Sequence, residues 1–112
     1  MIWAQFIPIE PCAKARPRVT ARGTYMPKGY QLWRKKFVLL CRPPSEAITG
    51  HYSVTVKIFT KSGKMRPDLD NVFGAVADAL QDAKVIANDR DITHLECSIA
   101  QGDKAGIEIG IW

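Results

Sequence analysis

The sequence lacks the cysteine pattern of a disulfide framework or a zinc site. It has three cysteines, and Cys12, Cys41 and Cys97 show no C-x-x-C spacing. Its two histidines, His51 and His94, have no second His or Cys at ligand spacing, so we interpret both as ordinary surface or core residues. We therefore expect free thiols in a reducing cytoplasm.

Long apolar runs are also missing. No stretch approaches the roughly eighteen consecutive apolar residues of a membrane-spanning helix. The N-terminus has neither the basic nor the apolar segment of a signal peptide. The chain of 112 residues fits one domain that buries a core without a metal or a disulfide. We expect a single cytoplasmic domain over residues 1–112 with no membrane association.

Acidic residues are absent from the segment Cys12–Tyr30, CAKARPRVTARGTYMPKGY, which we call the basic arm. Its prolines and glycines favour an irregular or hairpin-like segment over a helix. Because uncompensated cations repel one another, a polyanion such as DNA explains the arm better than a solvated loop does. Tyr25 and Tyr30 are candidates to stack on bases or to cap the core.

Positive charge is concentrated in the N-terminal half of the chain. Residues 1–50 hold nine Lys/Arg and two Asp/Glu, giving +7, whereas residues 51–112 hold seven and nine, giving −2. Such a surface attracts an anionic partner. The candidate DNA contacts are Lys14, Arg16, Arg18, Arg22, Lys28, Arg34, Lys35, Lys64 and Arg66.

Hydrophobic periodicity predicts four strands and two main helices. The strands are expected at residues 1–9, 51–60, 92–100 and 106–112, and the helices at about 31–40 and 68–82. Too few β-α-β units are present for a wound parallel sheet. We therefore predict an α+β fold with a mixed sheet and the two helices packed on it.

The second predicted helix begins with two acids, Asp68 and Asp70, directly after Pro67. Taken alone, they are explained as well by helix capping as by metal binding, and residues 88–91 are equally an ordinary polar turn. The helix would be roughly 22 Å long and the return to Asp89 at most about 25 Å, so closure onto the pair is possible but tight.

The order of these pieces resembles the RusA family of Holliday-junction resolvases, of the type encoded by phages and prophages. The resemblance also includes KARPRVT and a Tyr-x-Pro-Lys in the basic arm, so it covers most of the chain. The other matching residues are Arg66, Pro67, Asp68, Asp70, Asn71, Asp78, Ala79, Leu80, Asn88 and Asp89. The resemblance implies a homodimeric endodeoxyribonuclease that cuts four-way DNA junctions during recombination and repair. Two matched sites would nick opposing strands.

Clustered carboxylates suit phosphodiester hydrolysis, because a bound Mg²⁺ generates the nucleophile and shields the developing charge. Mn²⁺ is an expected substitute. Asp68, Asp70 and Asp89 match the family's essential acids and are the candidates for both catalysis and metal binding. Asp91 would replace Asp89 if the turn were offset by two residues. We interpret Asp78 as structural.

Gly74 departs from the family pattern. Members of the family usually carry a lysine at this position, near the scissile phosphate. Lys64, Arg66 or Lys84 are candidates to supply the missing charge. Otherwise the protein is weakly active or binds junctions without cutting them well.

Three other functions remain open on the sequence. One is a non-catalytic module that binds nucleic acid without a divalent metal. Another is a nuclease of the same chemistry that acts on other branched or single-stranded DNA. The third is a small structural protein, which predicts no salt-dependent affinity for DNA.

Overall fold

The computed structural model describes residues 1–61 and 68–112. Two α-helices, six strands and one 3-10 turn form in this part of the chain. In chain order they are β1 (Trp3–Ile7), β2 (Arg18–Thr20), β3 (Gly23–Tyr25), α1 (Lys28–Leu40), β4 (Tyr52–Lys61), α2 (Leu69–Asp82), the 3-10 turn (Asp89–Asp91), β5 (Ile92–Gly102) and β6 (Gly106–Ile111).

Four of the strands form a mixed sheet in the order β1-β6-β4-β5. The central strand β4 is antiparallel to β6 and parallel to β5, because α2 carries the chain back before β5 begins. Although β5 and β6 are consecutive, they lie on opposite sides of β4. The predicted α+β class, with a mixed sheet and two helices, is confirmed.

Both helices pack on one face of this sheet. Strand β4 alternates as its sequence predicts, and Val54 and Ile58 on its inner face are fully buried. Phe37 of α1 and Leu80 of α2 are also fully buried and belong to the same core cluster. Burying each such side chain contributes about 1.5–3 kcal/mol. The core therefore fixes α2 along the sheet.

The basic arm contains the hairpin that its composition favours. Strands β2 and β3 pair in antiparallel register, and all of their residues are exposed. Gly23 takes a φ of 121°, a left-handed conformation that favours glycine. The end of the arm differs from the prediction, because α1 already begins at Lys28. The helix starts directly after Pro27, whose carbonyl accepts the N–H of Gln31 at 3.2 Å.

Cys12, Cys41 and Cys97 are free thiols, as expected. His94 is exposed, with its Nε2 3.5 Å from a carboxylate oxygen of Glu96. Among the residues described, no helix is long and apolar enough to cross a membrane.

Candidate active site and DNA-binding surface

Helix α2 begins with an exposed pair of carboxylates. Asp68 directly precedes the helix, and its side chain makes no capping hydrogen bond. Instead, the Asn71 side-chain amide donates to Asp68 Oδ2 at 3.3 Å, and the Asn71 backbone N–H donates to Asp70 Oδ1 at 3.0 Å. Simple capping therefore does not account for Asp68.

The two carboxylates are close enough to interact. The hydrogen bond with Asp70, followed by the negative charge of Asp70, raises the pKa of the Asp68 carboxyl. Two neighbouring carboxylates repel each other when both are ionised, and a shared proton or a bound cation relieves this repulsion. Carboxylate oxygens are the donors that Mg²⁺ and Mn²⁺ prefer, and a Mg²⁺ site commonly uses one or two of them. The pair thus fits a divalent cation.

Asp89 lies near the opposite end of α2. Its backbone N–H donates to Gln81 Oε1 at 3.2 Å. A helix rises roughly 16 Å from Asp70 to Gln81, whereas a ligand oxygen lies about 2.0–2.1 Å from Mg²⁺. Asp89 therefore does not join the pair within one chain. Among the described residues, no group of three or more His, Cys, Asp or Glu side chains is placed to hold a metal.

The segment after α2 explains this separation. The backbone N–H groups of Val85 and Ile86 donate to the carbonyl of Leu80, and Ile86 forms a bridge with Ile48. The chain therefore turns toward the sheet instead of running back along the helix. The segment after α2 is long enough to reach the start of the helix, but it runs toward Ile48 and Tyr52 instead.

The acidic turn at Asp89 is fixed to the start of β4. The hydroxyl of Tyr52 donates to the carbonyl of Asn88 at 2.9 Å, and the Asn88 side chain accepts the N–H of Arg90 at 3.0 Å. Burial, followed by the charges of Asp91 and Asp89, raises the pKa of Tyr52. Asp89 is exposed and Asp91 is half-buried, which favours Asp89 as the acid that reaches a partner.

Two of the candidate DNA contacts are paired with acids of α2. Arg34 binds Asp82 through two hydrogen bonds of 2.6 and 2.8 Å. Lys14 Nζ lies 3.5 Å from Asp78 Oδ1. Five other candidates are exposed, namely Arg16, Arg18, Arg22, Lys28 and Lys35. The last two candidates, Lys64 and Arg66, lie outside the described residues.

The sequence of this chain matches the model of a known protein family. The family model for endodeoxyribonuclease RusA matches residues 8–112. The chain belongs to the RusA family. Members of this family are Holliday-junction endonucleases that act on branched DNA. The match to the family model confirms the resemblance seen in the sequence. Among proteins of curated function, none gives a significant match.

The two tyrosines of the RusA-family arm have different environments. Tyr30 is 3% exposed and stacks on Trp33 at 6.4 Å between ring centroids, so it caps the core. Its hydroxyl donates to Asp78 Oδ2 at 2.6 Å. Tyr25 is half-exposed on the hairpin. Only Tyr25 of these two is free to stack on a base.

Sequence reasoning missed the contact between Lys14 and Gly74. A Cβ added to Gly74 would lie 3.0 Å from Cδ of Lys14, and the backbone N–H of Lys14 donates to the carbonyl of Asn71 at 2.8 Å. A glycine inside a helix was the available signal, since it indicates close packing. Lys84, proposed to replace the family's lysine, follows the last turn of α2 and lies far from Asp70.

Proposed function

We propose that this protein is a divalent-metal-dependent, structure-selective endodeoxyribonuclease. It resolves Holliday junctions by paired symmetric nicks in recombination and repair. The exposed Asp68–Asp70 pair at the start of α2, in a chain of the RusA family, supports this function. These two residues would hold Mg²⁺, with Mn²⁺ as a substitute. When bound, the cation supplies Lewis-acid stabilisation of the phosphoryl charge.

We infer that the active form is a homodimer in which the third acid, Asp89, comes from the second copy. This inference is supported by the position of Asp89 beside Gln81, near the far end of α2 from Asp70. A two-fold axis perpendicular to α2 and close to its midpoint would place the acidic turn of one copy beside the start of α2 in the other. The same operation creates a second, equivalent site. Two matched sites suit the approximate two-fold symmetry of a four-way junction.

The basic arm and α1 would bind the DNA backbone. The hairpin β2–β3 presents Arg18 and Arg22 to solvent, and Lys28 and Lys35 are exposed on α1. Each cation that meets a phosphate contributes a slope of about −0.9 to the dependence of log affinity on log salt for duplex DNA. Action on DNA and free thiols both fit a cytoplasmic protein.

Cleavage of a labelled synthetic four-way junction tests the proposed function. We expect symmetric nicks with wild-type protein in Mg²⁺ or Mn²⁺, and none on the matched linear duplex. Asp70→Asn should abolish the nicks while keeping junction affinity, because it removes a ligand charge without altering the basic arm.

A second outcome distinguishes the other candidate function. Tight junction binding by the wild-type protein, with no nicks in either metal, would contradict the endonuclease. It would favour a branched-DNA-binding module, which the glycine at position 74 makes the next candidate.

A further inference from the structure

We propose that Lys14 is the active-site cation of this chain. It is delivered by the basic arm into the gap at Gly74, from which its ammonium reaches a phosphate bound at Asp68 and Asp70. This inference rests on the proposed nuclease function, and it assigns Lys14 a role beyond a general contact with the DNA backbone.

Helix α2 needs such a cation from another element. Between Leu69 and Asp82 its sequence contains three aspartates and no lysine or arginine. Among the described residues, Lys14 and Arg34 form ion pairs with this helix. Arg34 is held by two short hydrogen bonds to Asp82, in the last turn of the helix. Lys14 is the cation nearer to the start of α2.

The main chain of Lys14 is anchored beside the acidic pair. Its N–H donates to the carbonyl of Asn71, the residue after Asp70, at 2.8 Å. Its side chain then crosses Gly74, where an added Cβ would lie 3.3 Å from Lys14 Cβ and 3.0 Å from Lys14 Cδ. A larger residue at position 74 would therefore displace this stem. Glycine makes the contact possible, although glycine is a poor helix former.

The ammonium of Lys14 is held loosely. It lies 3.5 Å from Asp78 Oδ1, and the Lys14 side chain is 47% exposed. The other oxygen of Asp78 accepts the Tyr30 hydroxyl at 2.6 Å, so Asp78 keeps a strong partner when Lys14 leaves. Exposed ion pairs of this kind contribute little to stability. A phosphate can therefore compete for the ammonium.

The reach of Lys14 includes the acidic pair. Asp70, Gly74 and Asp78 follow one another at four-residue spacing along one face of α2, and each step rises about 6 Å. The flexible four-carbon stem of Lys14 crosses Gly74, between Asp70 and Asp78. Turned toward Asp70, the ammonium would contact a non-bridging phosphate oxygen. In the hydrolysis, a water oxygen bonds to phosphorus and loses its proton to solvent, while the P–O ester bond breaks and the leaving oxygen takes a proton from solvent. Lys14 would stabilise the growing negative charge and transfer no proton.

The test compares single-turnover cleavage with junction affinity in the full-length protein. Lys14→Met keeps the stem but removes the charge, and we expect the cleavage rate to fall roughly 100-fold, with a much smaller loss of affinity. Lys14→Arg should retain most of the rate. Lys104→Met, on the β5–β6 turn, is the matched control and should cleave like the wild type. Thermal unfolding of each variant checks that the fold is intact.

Transfer of the lysine to α2 provides a positive test. Lys14→Ala combined with Gly74→Lys should recover cleavage relative to Lys14→Ala alone, because a lysine at position 74 starts from the surface that Lys14 covers. An equal loss of rate and affinity in Lys14→Met, or cleavage at the wild-type rate, would overturn the inference while leaving the nuclease intact. A wild-type protein without nicks would overturn the proposed function, and this inference with it.

Discussion

At the scale of single residues, Tyr30 joins the basic arm to α2 through its 2.6 Å hydrogen bond to Asp78. Tyr30→Phe removes this bond to a charged acceptor and should lower the free energy of unfolding by about 1.5–3 kcal/mol. Urea denaturation measures the change. Tyr25→Phe, half-exposed on the hairpin, is the control and should stay within about 0.5 kcal/mol of wild type. Equal losses of stability in the two variants would contradict a stabilising hydrogen bond between Tyr30 and Asp78.

The Tyr30 hydroxyl should also make the stability of the protein depend on pH. Burial, followed by the hydrogen bond to Asp78, raises the pKa of Tyr30 above its ordinary range. The folded protein thus keeps a proton that the unfolded chain releases above about pH 10. The stability contributed by Tyr30 should be complete below that pH and decline as pH rises toward the raised pKa. The difference in unfolding free energy between wild type and Tyr30→Phe, measured from pH 8 upward, should therefore shrink only above about pH 10.

At the scale of elements, α2 shows what periodicity predicts. The sequence predicts a helix over residues 68–82, and the observed helix spans Leu69–Asp82 because its apolar stripe meets the core. Leu80 is fully buried, so Leu80→Ala should cost about 2–5 kcal/mol. Leu39→Ala, at a leucine 85% exposed on α1, should change stability little. Thermal or urea unfolding that failed to separate the two variants would contradict this core.

We expect the hairpin β2–β3 to contribute to DNA affinity. Arg18→Ala together with Arg22→Ala should reduce the slope of log affinity against log salt by roughly 1.8 on duplex DNA, if each arginine meets one phosphate. The same two substitutions should leave the unfolding free energy nearly unchanged, because both side chains are exposed. Binding titrations at several salt concentrations provide the measurement. An unchanged slope would remove the hairpin from the binding surface.

At the scale of the whole molecule, sequence predicted the elements better than their arrangement. Alternation identified β5 and β6, but not that each flanks β4, because strand pairing depends on contacts distant in sequence. A length estimate for the return to Asp89 bounded its reach and gave no direction. The bonds from Tyr52 to Asn88 and from Val85 to Leu80 set that direction. The exposed acids at the start of α2 were identified because helix-start signals are local.

The proposed sharing of the active site between two copies has a consequence for mixed dimers. If Asp70 and Asp89 of one site come from different copies, a dimer of one Asp70→Asn chain and one Asp89→Asn chain has one site with both substitutions and one intact site. If the acids acted within one chain, both sites of that dimer would be defective. The two arrangements therefore predict different products from the same mixture.

The most direct measurement is junction cleavage by these two variants, first separately and then after co-refolding in equal amounts. We predict that each variant alone makes no nicks and that the mixture recovers nicking, mainly as single cuts, because each mixed dimer has one working site. Co-refolded wild type is the control for recovery of active dimer. Active wild type together with an inactive mixture would contradict a site built from two copies.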